Sequence, residues 1–213
     1  MLYVKVFLFN PLQENTYLLY NEKKECIIVD PGCYYEDEKE TVADWIESES
    51  LLPVQLVNTH CHLDHIFGNR FIAEKYKLEL YFHPLEKKMF DLAPSSGLMW
   101  NLPFDNYTGP IVFIDPSQPL RLGDDLLSIL FVPGHSPGSL AFYSENQGFI
   151  ISGDTLFSGS IGRSDLPGGN AKQLEESIRN VLYVLPDNTR ILPGHGPETT
   201  IGVEKRTNPY VKI

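Results

Sequence analysis

Between His60 and His65 the chain reads HCHLDH, three imidazoles and a carboxylate in six residues. The motif follows the apolar run Pro53 to Val57 and the polar pair Asn58 and Thr59. Ionisable groups at that density are too costly to desolvate for a packing motif. Their chemistry is that of metal ligands: neutral imidazole suits borderline metals, and carboxylate oxygens serve zinc and iron alike. In an extended segment side chains alternate, so His60 and His62 share one side while Cys61 faces the other. Asp64 and His65 then need a turn. Ile66 to Tyr76, with Ile66, Phe67, Phe71 and Ile72 at helix-like spacing, supplies it by entering a helix at once. The orphan N–H groups at that helix start favour the carboxylate of Asp64. A surface loop capping a strand and a helix would explain one of these histidines but explains the cluster poorly.

Three later stretches repeat one device. FVPGHSPGS places His135 after the apolar run Leu126 to Val132, GFIISGDT places Asp154 after Phe149 to Ile151, and RILPGHGPE places His195 after Ile191 and Leu192. Each is a strand-like run, a glycine turn and one ligand-type side chain. Four strand ends of this kind can converge on one edge of a sheet, as binding loops do on layered scaffolds. Five of the chain's six histidines are employed in this way. With Asp64 and Asp154 they suffice for two metal sites with open positions.

HCHLDH followed by a lone His, a lone Asp and a lone His resembles the signature of the metallo-beta-lactamase fold, HxHxDH with later ligands at strand ends. The resemblance implies an α/β (α+β) protein: an αββα four-layer sandwich in which two mixed sheets are flanked by helices. It makes His60, His62 and His135 ligands of one metal, Asp64, His65 and His195 ligands of a second, and Asp154 the bridge. THCHLDHIFGN, PGHSPGS, GDTLFSGSIGRSDLPGG and LPGHGPETTIGVE together resemble the glyoxalase II (hydroxyacylglutathione hydrolase) branch, in particular its short single-domain members. The likeness covers nearly the whole chain and implies one domain over residues 1–213. Only 17 residues follow Gly196. An added C-terminal helical domain, which supplies much of the glutathione-conjugate pocket in the longer enzymes, is therefore not expected, and glutathione specificity does not follow.

The implied chemistry is hydrolysis of a small acyl thioester by metal-activated hydroxide. Two divalent ions polarise the carbonyl and lower the pKa of a bound water. Asp154 and Asp64 are the catalytic carboxylates, the first holding the ions together and the second orienting the nucleophile or managing its proton. Zinc fits a nonredox hydrolase, and the same ligands tolerate iron or manganese. One alternative is a mononuclear-iron persulfide dioxygenase using the positions of His60, His135 and Asp154. Another is a noncatalytic binding protein with a metal-stabilised fold. The scaffold also carries lactonases, beta-lactamases and nucleases, so the motifs do not choose the substrate.

Those ligands need strands to carry them. Tyr3 to Phe9, Thr16 to Tyr20 and Cys26 to Asp30 read as an antiparallel opening. Asp30, at the end of the third run, sits in an ordinary DPG turn, where a carboxylate can cap its own backbone or accept the free ring N–H of a ligating histidine. Glu38 to Ser50 reads as a helix anchored by Trp45, and Leu78 to Phe82 as a strand. His83 follows at a helix start with proline in its first turn, so it is a boundary residue or a contact to substrate or ligands. Asp91 to Pro110 is the least regular stretch, and its Trp100 either covers the sheet or faces substrate as part of a lid. Arg163 is expected to pair with Asp165. Ala171 to Leu185 is an amphipathic helix stopped by Pro186, and Thr199 to Thr207 a short closing helix.

At 213 residues with 42% hydrophobic content the chain can bury a substantial core. No window approaches a transmembrane span and no leader pattern is visible, so a cytoplasmic protein is expected. Three cysteines make no disulfide framework. The net charge of −11 disfavours nucleic-acid and anionic-membrane partners. A small-molecule substrate is left as the expected partner. Oligomeric state is not legible.

Overall fold

The computed structural model describes residues 1–212. Two compact units emerge: Met1–Ile114 with Arg121–Asp125, and Asp115–Leu120 with the residues from Leu126 onward.

In the first unit β1 (Leu2–Phe9), β2 (Glu14–Asn21) and β3 (Glu25–Val29) form an antiparallel meander. Helix α1 (Glu36–Ser48) then crosses over to β4 (Leu52–Val57), which pairs parallel with β3. Helices α2 (Leu63–Ile66) and α3 (Asn69–Tyr76) lead to β5 (Leu80–Phe82), and α4 (Lys87–Met99) leads to β6 (Ile111–Phe113); both strands add in parallel. Parallel neighbours require such crossovers, so the switch from hairpins to helices fixes the order β1 to β6 as a mixed sheet. Phe7, Leu18, Ile28, Leu56 and Phe82 share a core with Val42, Ile46, Ile72 and Phe90. Trp45, expected as an anchor, packs edge-on against Phe7 and Tyr20.

The single helix expected from Ile66 is two. At Gly68 the helical bond to Asp64 is replaced on both sides: Gly68 N–H donates to Pro31 O at 2.7 Å, while Asp64 O accepts from Asn10 Nδ2 at 3.0 Å. A Cβ on Gly68 would collide with Cys33 Sγ and lie 2.7 Å from Pro31 O. The glycine therefore lets the chain press against the DPG turn, at the cost of helical continuity.

The stretch from Asp91 is more regular than expected, because α4 runs through Pro94 to Met99. Proline removes the N–H that would reach Phe90 O. Asn106 Nδ2 donates to that carbonyl instead. The helix then closes in a Schellman turn, with Asn101 at φ +58° and Leu102 N–H donating to Gly97 O at 2.8 Å. Irregular chain begins only at Trp100.

The second sheet contains β7 (Leu120–Leu122), β8 (Asp125–Phe131), β9 (Leu140–Ser144) and β10 (Phe149–Gly153). A separate ribbon, β11 (Leu156–Phe157) with β12 (Ser160–Ile161), follows. Helix α5 (Ala171–Ser177) crosses to β13 (Arg190–Pro193), parallel with β10; β14 (Thr199–Thr200) and α6 (Ile201–Thr207) close the order β14-β13-β10-β9-β8-β7. The helix expected over Ala171 to Leu185 becomes a π-helical turn from Ile178 to Leu182. That turn keeps Leu174, Ile178 and Leu182 in one core with Ile150 and Ile191. Thr199 and Thr200, expected in the closing helix, pair with β13, and the Thr200 hydroxyl caps α6 by accepting from Val203 N–H.

The architecture is α+β with two mixed sheets flanked by helices, as the motifs implied. Among the described residues no helix is long and apolar enough to cross a membrane.

Candidate metal centre

In the first unit the ligand-type residues lie just past the end of β4. Residues 58–62 belong to no helix or strand, so side chains rather than a ladder hold them. Asp30, immediately after β3, has φ +49°, in the left-handed region that aspartate tolerates better than most residues. Its Oδ1 accepts Thr59 N–H at 2.7 Å and Asn58 Nδ2 at 3.3 Å. Its Oδ2 accepts the Thr59 hydroxyl and stands 3.1 Å from His65 Nδ1. Thr59 has one hydroxyl proton and gives it to Asp30, so its oxygen acts as acceptor for His60 Nδ1, 3.0 Å away. One carboxylate thus places a proton on Nδ1 of His65 directly and of His60 through Thr59, leaving both Nε2 lone pairs for ligation.

The three rings are close. The His60 centroid lies 4.2 Å from that of His65 and 4.8 Å from that of His62. Asp64 Oδ2 is 3.8 Å from His65 Nε2, and α2 is held by Asn58 Nδ2 donating to His65 O at 2.9 Å. A further carboxylate, Glu14, is 0% exposed. It accepts the Thr16 hydroxyl at 2.8 Å and lies 3.8 Å from His65 Nδ1. Burial pushes its carboxyl well above the ordinary glutamate range, with His65 pulling the other way.

In the second unit the ligand-type residues follow β8, β10 and β13. His135 Nδ1 is 2.7 Å from Arg163 O. A carbonyl can only accept, so the ring proton is on Nδ1 and Nε2 carries the lone pair. Asp154 Oδ2 is 3.5 Å from His135 Nε2 and 3.6 Å from His195 Nε2. A Cβ on Gly162 would strike Asp154 O and come within 3.0 Å of His135 Nδ1, so this loop can close on the ligands only as glycine.

These separations test whether the residues fit metal ions. Carboxylate–imidazole distances of 3.5, 3.6 and 3.8 Å are longer than ordinary hydrogen bonds. Two ligands each about 2.0–2.1 Å from one tetrahedral cation stand roughly 3.4 Å apart. The pairs therefore have the spacing of co-ligands. The first unit offers His60, His62, Asp64 and His65 and the second His135, Asp154 and His195 as donors for divalent metal ions, and the donor chemistry admits zinc, iron or manganese.

The remaining candidates lie as follows. His83 Nδ1 accepts Leu85 N–H at 3.3 Å and caps the short turn before α4; burial lowers its pKa. Trp100 ends α4 and is 54% exposed, beside the more exposed Leu98 and Met99. Arg163 is held bidentately by Asp165 at 3.0 and 2.8 Å, on the surface. Thr59, Glu14 and Glu86 were not singled out from the sequence. Thr59 offered only its place beside the motif, and Glu86, followed by two lysines, reads as a surface residue.

The family model described as "Metallo-beta-lactamase superfamily" matches residues 9–195. The probable metallo-hydrolase YqgX of Bacillus subtilis is 37% identical over an alignment of 208 residues that covers 94% of this chain and 93% of the relative. The hydroxyacylglutathione hydrolase GloC of Haemophilus influenzae is 33% identical over 210 residues, 98% of this chain and 97% of the relative. Among solved structures, the B3 metallo-beta-lactamase BLEG-1 superposes with a TM-score of 0.90 at 35% identity, covering 98% of this chain and 99% of that one. The di-iron-bound form of TTHA1623 gives 0.87 at 36% identity, covering 97% and 100%.

Proposed function

Because this chain belongs to the metallo-beta-lactamase superfamily and is a metal-dependent hydrolase, we propose that it cleaves a small acyl thioester in the manner of the glyoxalase II branch, as one domain over residues 1–213. His60, His62 and His135 are assigned to one ion, Asp64, His65 and His195 to the other, and Asp154 to both. The carrying observation is the completeness of the set: all seven positions hold a metal-ligating side chain. An iron oxygenase of the alternative kind would use only part of it. Likeness to the hydroxyacylglutathione hydrolase GloC supports the acyl class.

Divalent cations bound there supply Lewis acidity toward the substrate carbonyl and lower the pKa of water to near neutrality. The chain's own contribution is orientation. Asp30 keeps His60 and His65 in the Nδ1–H tautomer, and Arg163 O does the same for His135. Asp64 orients the attacking water and takes up its hydrogen bond, while Asp154 keeps His135 and His195 at a common distance. A thiolate leaves readily, so the reaction needs no general acid. The exposed apolar tip Leu98, Met99 and Trp100 is assigned to substrate contact. The three cysteines are free and buried, which suits a reducing compartment, and the cytoplasm is proposed accordingly.

The test is turnover of an acyl-glutathione and of glutathione persulfide, with and without oxygen, with metals counted on the same preparation. Oxygen-independent acid release with about two metals per chain is expected. Oxygen consumption on the persulfide, with one iron per chain and no thioester cleavage, would establish the dioxygenase instead.

A further inference from the structure

Leu85 and Glu86 are sorted against the usual rule. Leu85 is 54% exposed, whereas its neighbour Glu86 is 0% exposed. Both belong to the turn Pro84–Glu86, through which the chain passes from β5 into α4. A carboxylate withdrawn from water is tolerated only where hydrogen bonds replace its hydration. One of those bonds reaches the metal loop: Glu86 Oε2 accepts the backbone N–H of Cys61 at 2.8 Å.

Cys61 separates His60 from His62 on the stretch that follows β4. Its N–H belongs to the planar peptide joining His60 to Cys61, so holding that group fixes the plane that carries the His60 Cα and leaves only the two backbone rotations of Cys61 between it and His62. Thr59, two residues earlier, is held in the same way by Asp30 at 2.7 Å. Alternate N–H groups of the loop are thus each taken by a carboxylate from the segment following a neighbouring strand, Asp30 after β3 and Glu86 after β5.

We propose that Glu86 is a positioning residue of the metal loop, its carboxylate fixing the His60–Cys61 peptide so that His60 and His62 present ring nitrogens to one cation. The role rests on the ligand assignment proposed above and is independent of which substrate is cleaved.

Metal-free wild type, Glu86→Ala, Glu86→Gln and Glu86→Asp are to be titrated with zinc against a chromophoric chelator, and with cobalt for its absorption bands. Their unfolding midpoints are to be measured without metal. Glu86→Ala is expected to bind one ion about 10- to 100-fold more weakly with altered cobalt bands, in line with losses of outer hydrogen-bond partners at metal sites. Glu86→Gln, which keeps an acceptor oxygen at the same reach, is expected to stay near wild type. Should Glu86→Ala fail to fold, Glu86→Asp carries the test, since its shorter side chain keeps the carboxyl group but loses the reach and is expected to weaken zinc. Wild-type affinity in the Ala or Asp variant, or equal weakening in Gln and Ala, overturns the role. A wild type that binds neither zinc nor cobalt overturns the ligand assignment itself. One that binds two ions without cleaving a thioester overturns only the substrate reading.

Discussion

Asp30 shows how much can depend on one carboxylate. It meets His65 directly and reaches His60 only through the Thr59 hydroxyl. The two routes can be cut separately. Thr59→Val is expected to weaken one ion and Asp30→Ala both, each by about 10- to 100-fold, read by metal titration of the apoprotein; equal losses in the two variants would contradict this wiring. Glu14 bears on stability rather than on ring orientation. Its carboxyl is raised by burial, so in the folded protein it holds a proton that the unfolded chain releases at lower pH. The folded state therefore binds more protons in that window, and stability falls as pH rises above the ordinary glutamate range toward the raised value. In chelated protein, urea unfolding across a pH series is expected to show this decline in wild type and to lose it in Glu14→Gln. An unchanged slope would remove Glu14 as its source.

At the scale of elements, α4 carries the clearest test of compensation. Pro94 removes a helical donor and Asn106 replaces it at Phe90 O. Asn106→Ala should cost about 1–3 kcal/mol, the price of leaving this part-buried carbonyl without its donor. In Pro94→Ala/Asn106→Ala the restored backbone N–H should recover much of that loss; strict additivity in the double-mutant cycle would refute the exchange. The same helix marks where sequence reading stops. Pro94 and Gly97 look like loop residues, and nothing local reveals that Asn106, twelve residues on, will satisfy the carbonyl. The break at Gly68 is equally nonlocal, since it depends on Pro31 and Cys33 lying against it. By contrast β1, β2, β3 and β4 were legible to within two residues, because alternation and turn residues act locally. The ligand-type residues stood out for a different reason: seven ionisable groups after strand-like runs have no cheap structural explanation. Glu86 and Glu14 escaped notice because what distinguishes them is burial, which a single sequence does not display.

Taken as a whole molecule, the chain carries a net charge of −11 and gathers buried carboxylates around its ligand-type histidines, so cations should stabilise it as well as activate it. Binding to the folded state alone adds RT ln(1 + [L]/Kd), about 4 kcal/mol at a thousandfold excess over Kd. The unfolding temperature should accordingly rise with free zinc and fall on chelation. The cysteines allow the location of that loss to be read. All three are buried in the first unit. Burial pushes the Cys33 thiol up to about 12, and it raises those of Cys26 and Cys61 as well. None should alkylate readily in the metal-loaded protein at neutral pH, because thiolate is scarce and access is closed. Cys26 lies within β3, paired on both sides by β2 and β4, whereas Cys61 lies on the loop whose shape the ligands, Asp30 and Glu86 share. Chelation should therefore accelerate labelling of Cys61 well before that of Cys26, as a local opening of residues 58–62 beneath the stability of the sheet. Mass spectrometry of a timed alkylation would resolve the two sites. Parallel labelling of Cys61 and Cys26 after chelation would mean that the unit opens all at once, and that the loop keeps its conformation without the ions.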